Sequence, residues 1–298
     1  MLAVTAALYA PSIGYGFVYE DLNDPATSFQ PWSWELTRQM PLRSLTQWLH
    51  TFCLWIGAGA AWPYHAAGVA LHLLNVTLLA LLAGPLAAAV FAWHPLNVES
   101  VAYVSSRPDV LAVSFVLLAL LAERRGWWVL AALACGAATL SKESAVVAWA
   151  LVPFAAWWTG RSFPRWWVDI VALPVGLIAG RMCWNCGAME HWPLRLSLDG
   201  TMQTLGTVST YGAWTLAPVG LSILHDWTWL TPAASVGLVA VAGSLVFIAR
   251  AWFAAAWVLL ALAPRVLVAY GDGLHDHHWY LPMVGICLAV GTWTKARS

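Results

Sequence analysis

An all-α, polytopic bundle of membrane-spanning helices is the fold this sequence predicts, and three observations predict it. Of its 298 residues 61% are hydrophobic and only 9% charged, far from the roughly one-quarter charged residues of a soluble domain. The apolar residues recur in runs of about 15 to 20 rather than in short alternating segments, which favours helices over an outer-membrane barrel. Many of the 22 tryptophans, Trp62, Trp127, Trp128, Trp157, Trp158 and Trp166 among them, fall at predicted helix ends, where an amphipathic ring suits the membrane interface. A formal net charge of zero leaves no electrostatic footprint for nucleic acid.

The elements follow in order. The apolar run 2–16 has no basic residues before it and no A-x-A-like site after it, so it reads as a first span with Pro11 inside, not as a cleavable signal peptide. Further spans are expected at 65–83, 85–104, 109–123, 127–140, 144–159, 166–181, 230–249, 252–270 and 280–294, about ten in all, with Gly84-Pro85 breaking one overlong run. If the N-terminus is cytoplasmic, Arg124-Arg125, Arg161 to Arg165, Arg250 and the tail with Lys295 and Arg297 all face inward, as the positive-inside rule requires. A crossing at 203–223 would invert everything downstream, so that stretch reads as a re-entrant or surface-lying helix. The chain is then a single transmembrane domain, 1–298, with tight inner turns and two long outer loops, 17–64 and 182–229. Function is expected on the outer face, where long loops stand on a rigid scaffold.

Ionisable residues at membrane depth are costly enough to mark function, and the densest group lies in His94–Val110, HPLNVESVAYVSSRPDV. His94 falls mid-span, where a core histidine and a functional one are equally good readings. Glu99 lies nearer the outer end, with Pro95 kinking the helix between them. Arg107 and Asp109 flank Pro108 at the mouth of the next helix, either as an interfacial salt bridge or as an anion site in which the guanidinium and a helix start hold phosphate.

Elsewhere, the adjacent carboxylates Glu20 and Asp21 in FVYEDLNDP offer a general base or simply a solvated turn. Ser141-Lys142-Glu143 joins two spans, with Ser141 placed to cap the following helix and Lys142 either snorkelling or binding an anion. Arg265, after Pro264, is a similar cation. His275-Asp276-His277-His278 resembles a metal cluster, but its spacing fits no common zinc pattern, and no metal ligand is assigned. Cys183 and Cys186 form an outer C-x-x-C suited to a disulfide or a metal clip. Cys53 is placed in an outer segment, while Cys135 and Cys287 are expected to pack within spans. Asn75-Val76-Thr77 is discounted as a glycosylation site because it lies inside a span.

Several stretches, FVYEDLNDP, MPLRSLTQWLH, YHAAGVALHLLNVTLLALL, FAWHPLNVESVAYVSSRPDVLA, LSKESAVV and DHHWYLPMVGICLAV, resemble in this order the transmembrane and tetratricopeptide-repeat O-mannosyltransferases and their bacterial relatives. These belong, with the protein O-mannosyltransferases, to the GT-C class of glycosyltransferases. The resemblance implies a GT-C-like helical domain whose catalytic carboxylate is Asp21 or Glu20. It implies donor-phosphate contacts from Arg107, Lys142 and His277. A supporting cavity wall would be built from His94, Glu99, Asp109, Glu143, Arg265, Asp276 and Tyr280. The family commonly has Asp at the position of Glu20 and Arg at that of His277, so a pH-dependent cation stands here for a permanent one. Family members also continue into outer repeats. Here acceptor binding would fall to the outer loops, to a separate protein or to a part outside this chain.

The resemblance thus implies an integral, multi-pass membrane enzyme with its active site on the extracytoplasmic face. It would move mannose or another hexose from a polyprenyl-phosphate donor to a hydroxyl of a protein Ser/Thr or a glycolipid, with inversion. It leans toward a reaction without cofactor or metal, and HDHH leaves metal dependence open. The rival readings are a sugar or lipid transporter, which would need paired repeats and broken helices in matching halves, and a non-catalytic scaffold.

Overall fold

Proline-marked breaks and glycine-closed turns set the helix pattern of the chain. The computed structural model describes residues 1–18, 21, 33–34, 37, 40–171, 198–218, 221, 252–267 and 275–296, and among these every regular element is a helix. The elements are α1 (Leu2–Tyr9), α2 (Ser44–Gly57), α3 (Trp62–Ala83), α4 (Pro85–Trp93), α5 (Asn97–Ala102), α6 (Arg107–Arg124), α7 (Trp128–Ser141), α8 (Ala148–Trp158), α9 (Leu198–Leu216), α10 (Trp252–Leu267) and α11 (Tyr280–Ala296). Short 3-10 turns at Ala10–Gly14, Pro41–Arg43, Val104–Ser106, Glu143–Val147 and Asp276–Trp279 link them.

Helices stand where the runs at 65–83, 109–123, 127–140, 252–270 and 280–294 predict them. Among the described residues two segments, Trp62–Ala83 and Val104–Arg124, are long and apolar enough to cross a membrane, while Trp128–Ser141 and Trp252–Pro264 are apolar but shorter. At about 1.5 Å per residue, the 22 residues of α3 reach about 33 Å, close to the thickness of a hydrocarbon core. The expected span at 230–249 and the cysteines Cys183 and Cys186 lie outside the described residues.

Two expectations change. The run 85–104 is not one kinked helix: α4 ends at Trp93, His94 is extended at φ −69° and ψ 126°, and a separate α5 starts at Asn97. The residue before a proline is pushed out of the helical region, so Pro95 ends the helix one residue early. Asn97 Nδ2 then donates to Phe91 O at 2.6 Å, satisfying a carbonyl the break exposes. Likewise Pro11 converts the end of the first run into a 3-10 turn, where Ser12 Oγ donates to Tyr9 O at 2.7 Å.

α6 and α7 form an antiparallel hairpin. Its turn is closed at Gly126 (φ 73°), with Trp127 N–H donating to Ala122 O at 2.9 Å and Gly126 N–H to Glu123 O at 2.8 Å. α8 ends the same way at Gly160 (φ 73°), where Arg161 N–H reaches Ala156 O at 2.9 Å. Both are Schellman endings, which need a left-handed residue that only glycine adopts without penalty. The two arginine-bearing turns meet: Arg161 Nη2 donates to the buried Glu123 at 2.7 Å, and Arg124 Nη1 donates to Leu82 O at the end of α3. Arg124-Arg125 and Arg161 therefore share one end of the bundle, and Asp109, at the start of α6, lies toward the other.

The core runs between those ends. Val76, Leu79 and Leu82 of α3 meet Phe91 of α4, Val113, Val116 and Leu117 of α6, and Val284 and Cys287 of α11, all fully or almost fully buried. Cys135 packs in the same core, and Cys53, expected in an outer segment, is buried beside Tyr64 and Val104. The outer faces are apolar too, with Leu8, Leu81, Val129, Leu133 and Leu259 more than half exposed.

Candidate functional site

The polar end of the bundle is organised by the segment from Glu99 to Asp109. α5 carries Glu99, and the 3-10 turn at Val104–Ser106 swings the chain back into α6, whose first turn carries Arg107 and Asp109. Ser106 Oγ holds that reversal by donating to the carbonyls of Ser100 (2.9 Å) and Tyr103 (2.6 Å).

Two stretches far away in sequence close on this segment. From the C-terminal side, the turn 275–279 places His277 Nδ1 at 2.7 Å from Glu99 Oε1, while the His277 backbone N–H donates to Glu99 Oε2 at 3.0 Å. His275 Nδ1 lies 3.7 Å from the same Oε1. From α7, Lys142 Nζ donates to Asp109 Oδ2 at 2.6 Å, and His277 Nε2 lies 3.9 Å from that oxygen. His275, Glu99, His277, Asp109 and Lys142 thus form one polar chain. His275 and Glu99 are its deep end (2% and 5% exposed side chains), and Lys142, Asp109 and His277 its shallower end (11–14%). Burial, reinforced by the charge of Glu99, pushes the Asp276 carboxyl up to about 8, so this residue is largely protonated at neutral pH.

The expected site residues divide by place. Asp21 also lands on the segment: its Oδ1 accepts from Ser105 N–H (2.9 Å) and Ser105 Oγ, and its Oδ2 accepts from Val18 N–H (3.3 Å). It is fully buried, a carboxylate locked onto the turn before α6. Glu20 lies outside the described residues. Arg107 is not presented to solvent. It is 1% exposed, and its Nη1 and Nη2 donate to the carbonyls of Val101 (3.1 Å) and Tyr103 (3.3 Å), so in this arrangement it braces the Glu99–Asp109 reversal instead of offering an anion site.

Glu143 joins a neighbouring pair, with Arg43 Nε and Nη2 donating to its two oxygens at 3.0 and 2.8 Å. Burial alone would raise its pKa, but the Arg43 guanidinium outweighs that and holds the carboxyl at about 2. Ser141 does not cap the next helix: it is the last residue of α7, and its Oγ donates back to Ala137 O at 2.8 Å. His94 stands apart from the cluster, its Nε2 3.1 Å from Thr215 O of α9. Tyr280 is a core group, its hydroxyl 2.7 Å from His72 Nδ1 and accepting from Asn75 Nδ2 at 3.2 Å. The side chain of Arg265 lies outside those described.

α9 lies over this end. Tyr211 stacks on Trp279 with ring centroids 5.0 Å apart, and its hydroxyl donates to His275 O. By contrast, an apolar groove of about 280 Å³ lined by Leu118, Trp127, Leu130 and Leu133 lies toward the far end of α6 from Asp109.

Sequence reasoning missed three contributors. Arg43 sits in MPLRSLTQWLH without an assigned role, and nothing in its local pattern names a partner 100 residues away. Ser105 is one of two equivalent serines before Arg107. His275 was visible in HDHH and Glu99 in His94–Val110, but nothing in either stretch showed that the two meet. Comparison with known protein families, curated proteins and solved structures finds no match.

Proposed function

We propose that this chain is a multi-pass membrane glycosyltransferase of GT-C type that moves a hexose from a polyprenyl-phosphate donor to an acceptor hydroxyl on the extracytoplasmic face. One observation carries the reading: Asp21, Glu99, Asp109, Lys142 and His277, separated by most of the chain, gather around the single segment 99–109 at the end of the bundle opposite the basic turns. The apolar outer faces support the membrane setting, with about ten spans. The 19-residue α9 laid over the cluster supports a covered site.

In the mechanism, Asp21 takes the proton of the acceptor hydroxyl as that oxygen attacks the anomeric carbon, with inversion. The bond from that carbon to the donor phosphate breaks, and polyprenyl phosphate leaves with the electron pair. Lys142 stabilises the leaving phosphate, so no strong general acid is needed. Arg107 acts through the backbone it braces. A water-free pocket would strengthen every one of these interactions.

Purified protein in proteoliposomes, supplied with radiolabelled polyprenyl-phosphate mannose and Ser/Thr peptide or glycolipid acceptors, tests the reading. Transfer of label to an acceptor is expected, and Asp21→Asn is expected to lower it by about a hundredfold or more. Movement of solute across the bilayer without transfer, or full activity in Asp21→Asn, would overturn it.

A further inference from the structure

The HDHH stretch has no recognised metal spacing, because its third partner is 178 residues earlier in the chain. Folding puts a carboxylate oxygen of Glu99 and one ring nitrogen each of His275 and His277 within 4.8 Å of one another, all on buried side chains. Two imidazoles and one carboxylate match the three-ligand sets that hold zinc while leaving a coordination position open.

The distances fit with little adjustment. Four-coordinate zinc with nitrogen and oxygen ligands about 2.0–2.2 Å away keeps its ligand atoms about 3.3 Å apart. His275 Nδ1 and Glu99 Oε1 are 3.7 Å apart. His277 Nδ1 and Oε1, at 2.7 Å, need only open from hydrogen-bond contact.

The surroundings add an independent observation. With Nδ1 on the ion, the second nitrogen of His277 carries the proton, and it faces Asp109 Oδ2 at 3.9 Å, an oxygen already held by Lys142. At that distance Asp109 is no hydrogen-bond partner but a nearby negative charge on the far side of the ring, the side from which a carboxylate commonly supports a ligating imidazole. The His277 backbone N–H pins the other oxygen of Glu99, and Tyr211 Oη tethers the carbonyl of His275, so the ligands are carried on a braced frame.

We propose that Glu99, His275 and His277 form a binding site for a divalent transition-metal ion, zinc or a close relative, that leaves a position for water or a substrate oxygen. This site stands independently of the glycosyltransferase reading, since ion binding is measured without donor or acceptor.

The test uses the full chain in lipid nanodiscs, stripped with chelator and then titrated with Zn²⁺ by equilibrium dialysis and with Co²⁺ by absorption. Saturable uptake of a single ion is expected, with a Co²⁺ spectrum of nitrogen and oxygen ligands and no thiolate charge-transfer band. Glu99→Gln and His275→Asn are each expected to weaken binding at least about tenfold, while the double variant Cys183→Ser/Cys186→Ser binds as wild type. Absence of saturable binding to the wild-type chain overturns the site, as does a thiolate band. So does unchanged affinity in Glu99→Gln and His275→Asn when both keep the wild-type unfolding transition.

Discussion

Replacing Gly68 by alanine probes how the Glu99–Asp109 segment is held. Gly68 is buried on α3, and a Cβ built there falls 1.6 Å from Arg107 Nη1, 2.5 Å from Arg107 Cζ and 2.7 Å from Val101 O. The guanidinium has nowhere simple to go, since its nitrogens already donate to Val101 and Tyr103, and the third contact is backbone. Overpacking costs about 1–3 kcal/mol, and disturbing two hydrogen bonds from a buried charge costs about 1.5–3 kcal/mol each. The helix preference for alanine over glycine returns about 1 kcal/mol. A net destabilisation of about 3–8 kcal/mol follows from these terms. Gly136 of α7 is the control: a Cβ there meets nothing within 4 Å, so Gly136→Ala should be neutral or slightly stabilising. Thermal or denaturant unfolding in detergent, followed by tryptophan fluorescence, measures both. If Gly68→Ala unfolds at the wild-type midpoint, Arg107 does not brace the segment as described.

Other perturbations have equally definite outcomes. Lys142→Met and Asp109→Asn each leave a partly buried partner without its counter-charge, so each should cost about 1–3 kcal/mol and the double variant less than their sum; additivity in a double-mutant cycle would deny the ion pair. Asn97→Ala leaves the Phe91 carbonyl unsatisfied and should cost about 1–3 kcal/mol, read as a lower unfolding midpoint. Because Arg43 holds the folded-state pKa of Glu143 down to about 2, the stability that pair contributes is present above the ordinary carboxylate range and lost as pH falls toward 2. Arg43→Gln should therefore lower the unfolding temperature near neutral pH and flatten its decline between about pH 5 and 3; parallel wild-type and variant pH profiles would refute this.

How much was legible in the chain depends on the range of the interaction concerned. The positions of α3, α6, α7, α10 and α11 follow from apolar run length, whereas the left-handed glycines that close the turns at Gly126 and Gly160 emerge from the structure. The grouping of the basic turns at one end was readable because charge asymmetry between loops is a sequence pattern. The break at Pro95 was only half legible: proline announced a disturbance, but whether it kinks or ends a helix depends on what Asn97 can satisfy. Arg107 shows the same limit. Its residue type suits phosphate and carbonyl oxygens equally, and only burial beside Gly68 decides that it serves the backbone.

By itself, then, the amino-acid order determined the helical class, the division of the chain at its prolines and glycines, and the concentration of ionisable groups in His94–Val110. Those depend on propensity, hydropathy and spacing, which act over a few turns of chain. Tertiary structure decided the pairings: Glu99 with His275 and His277, Asp109 with Lys142, Asp21 with Ser105, and Arg43 with Glu143. Each joins residues 33 to 178 positions apart whose local patterns carry no mark of the partner. Helix packing brings them together, and burial makes it costly to leave them apart.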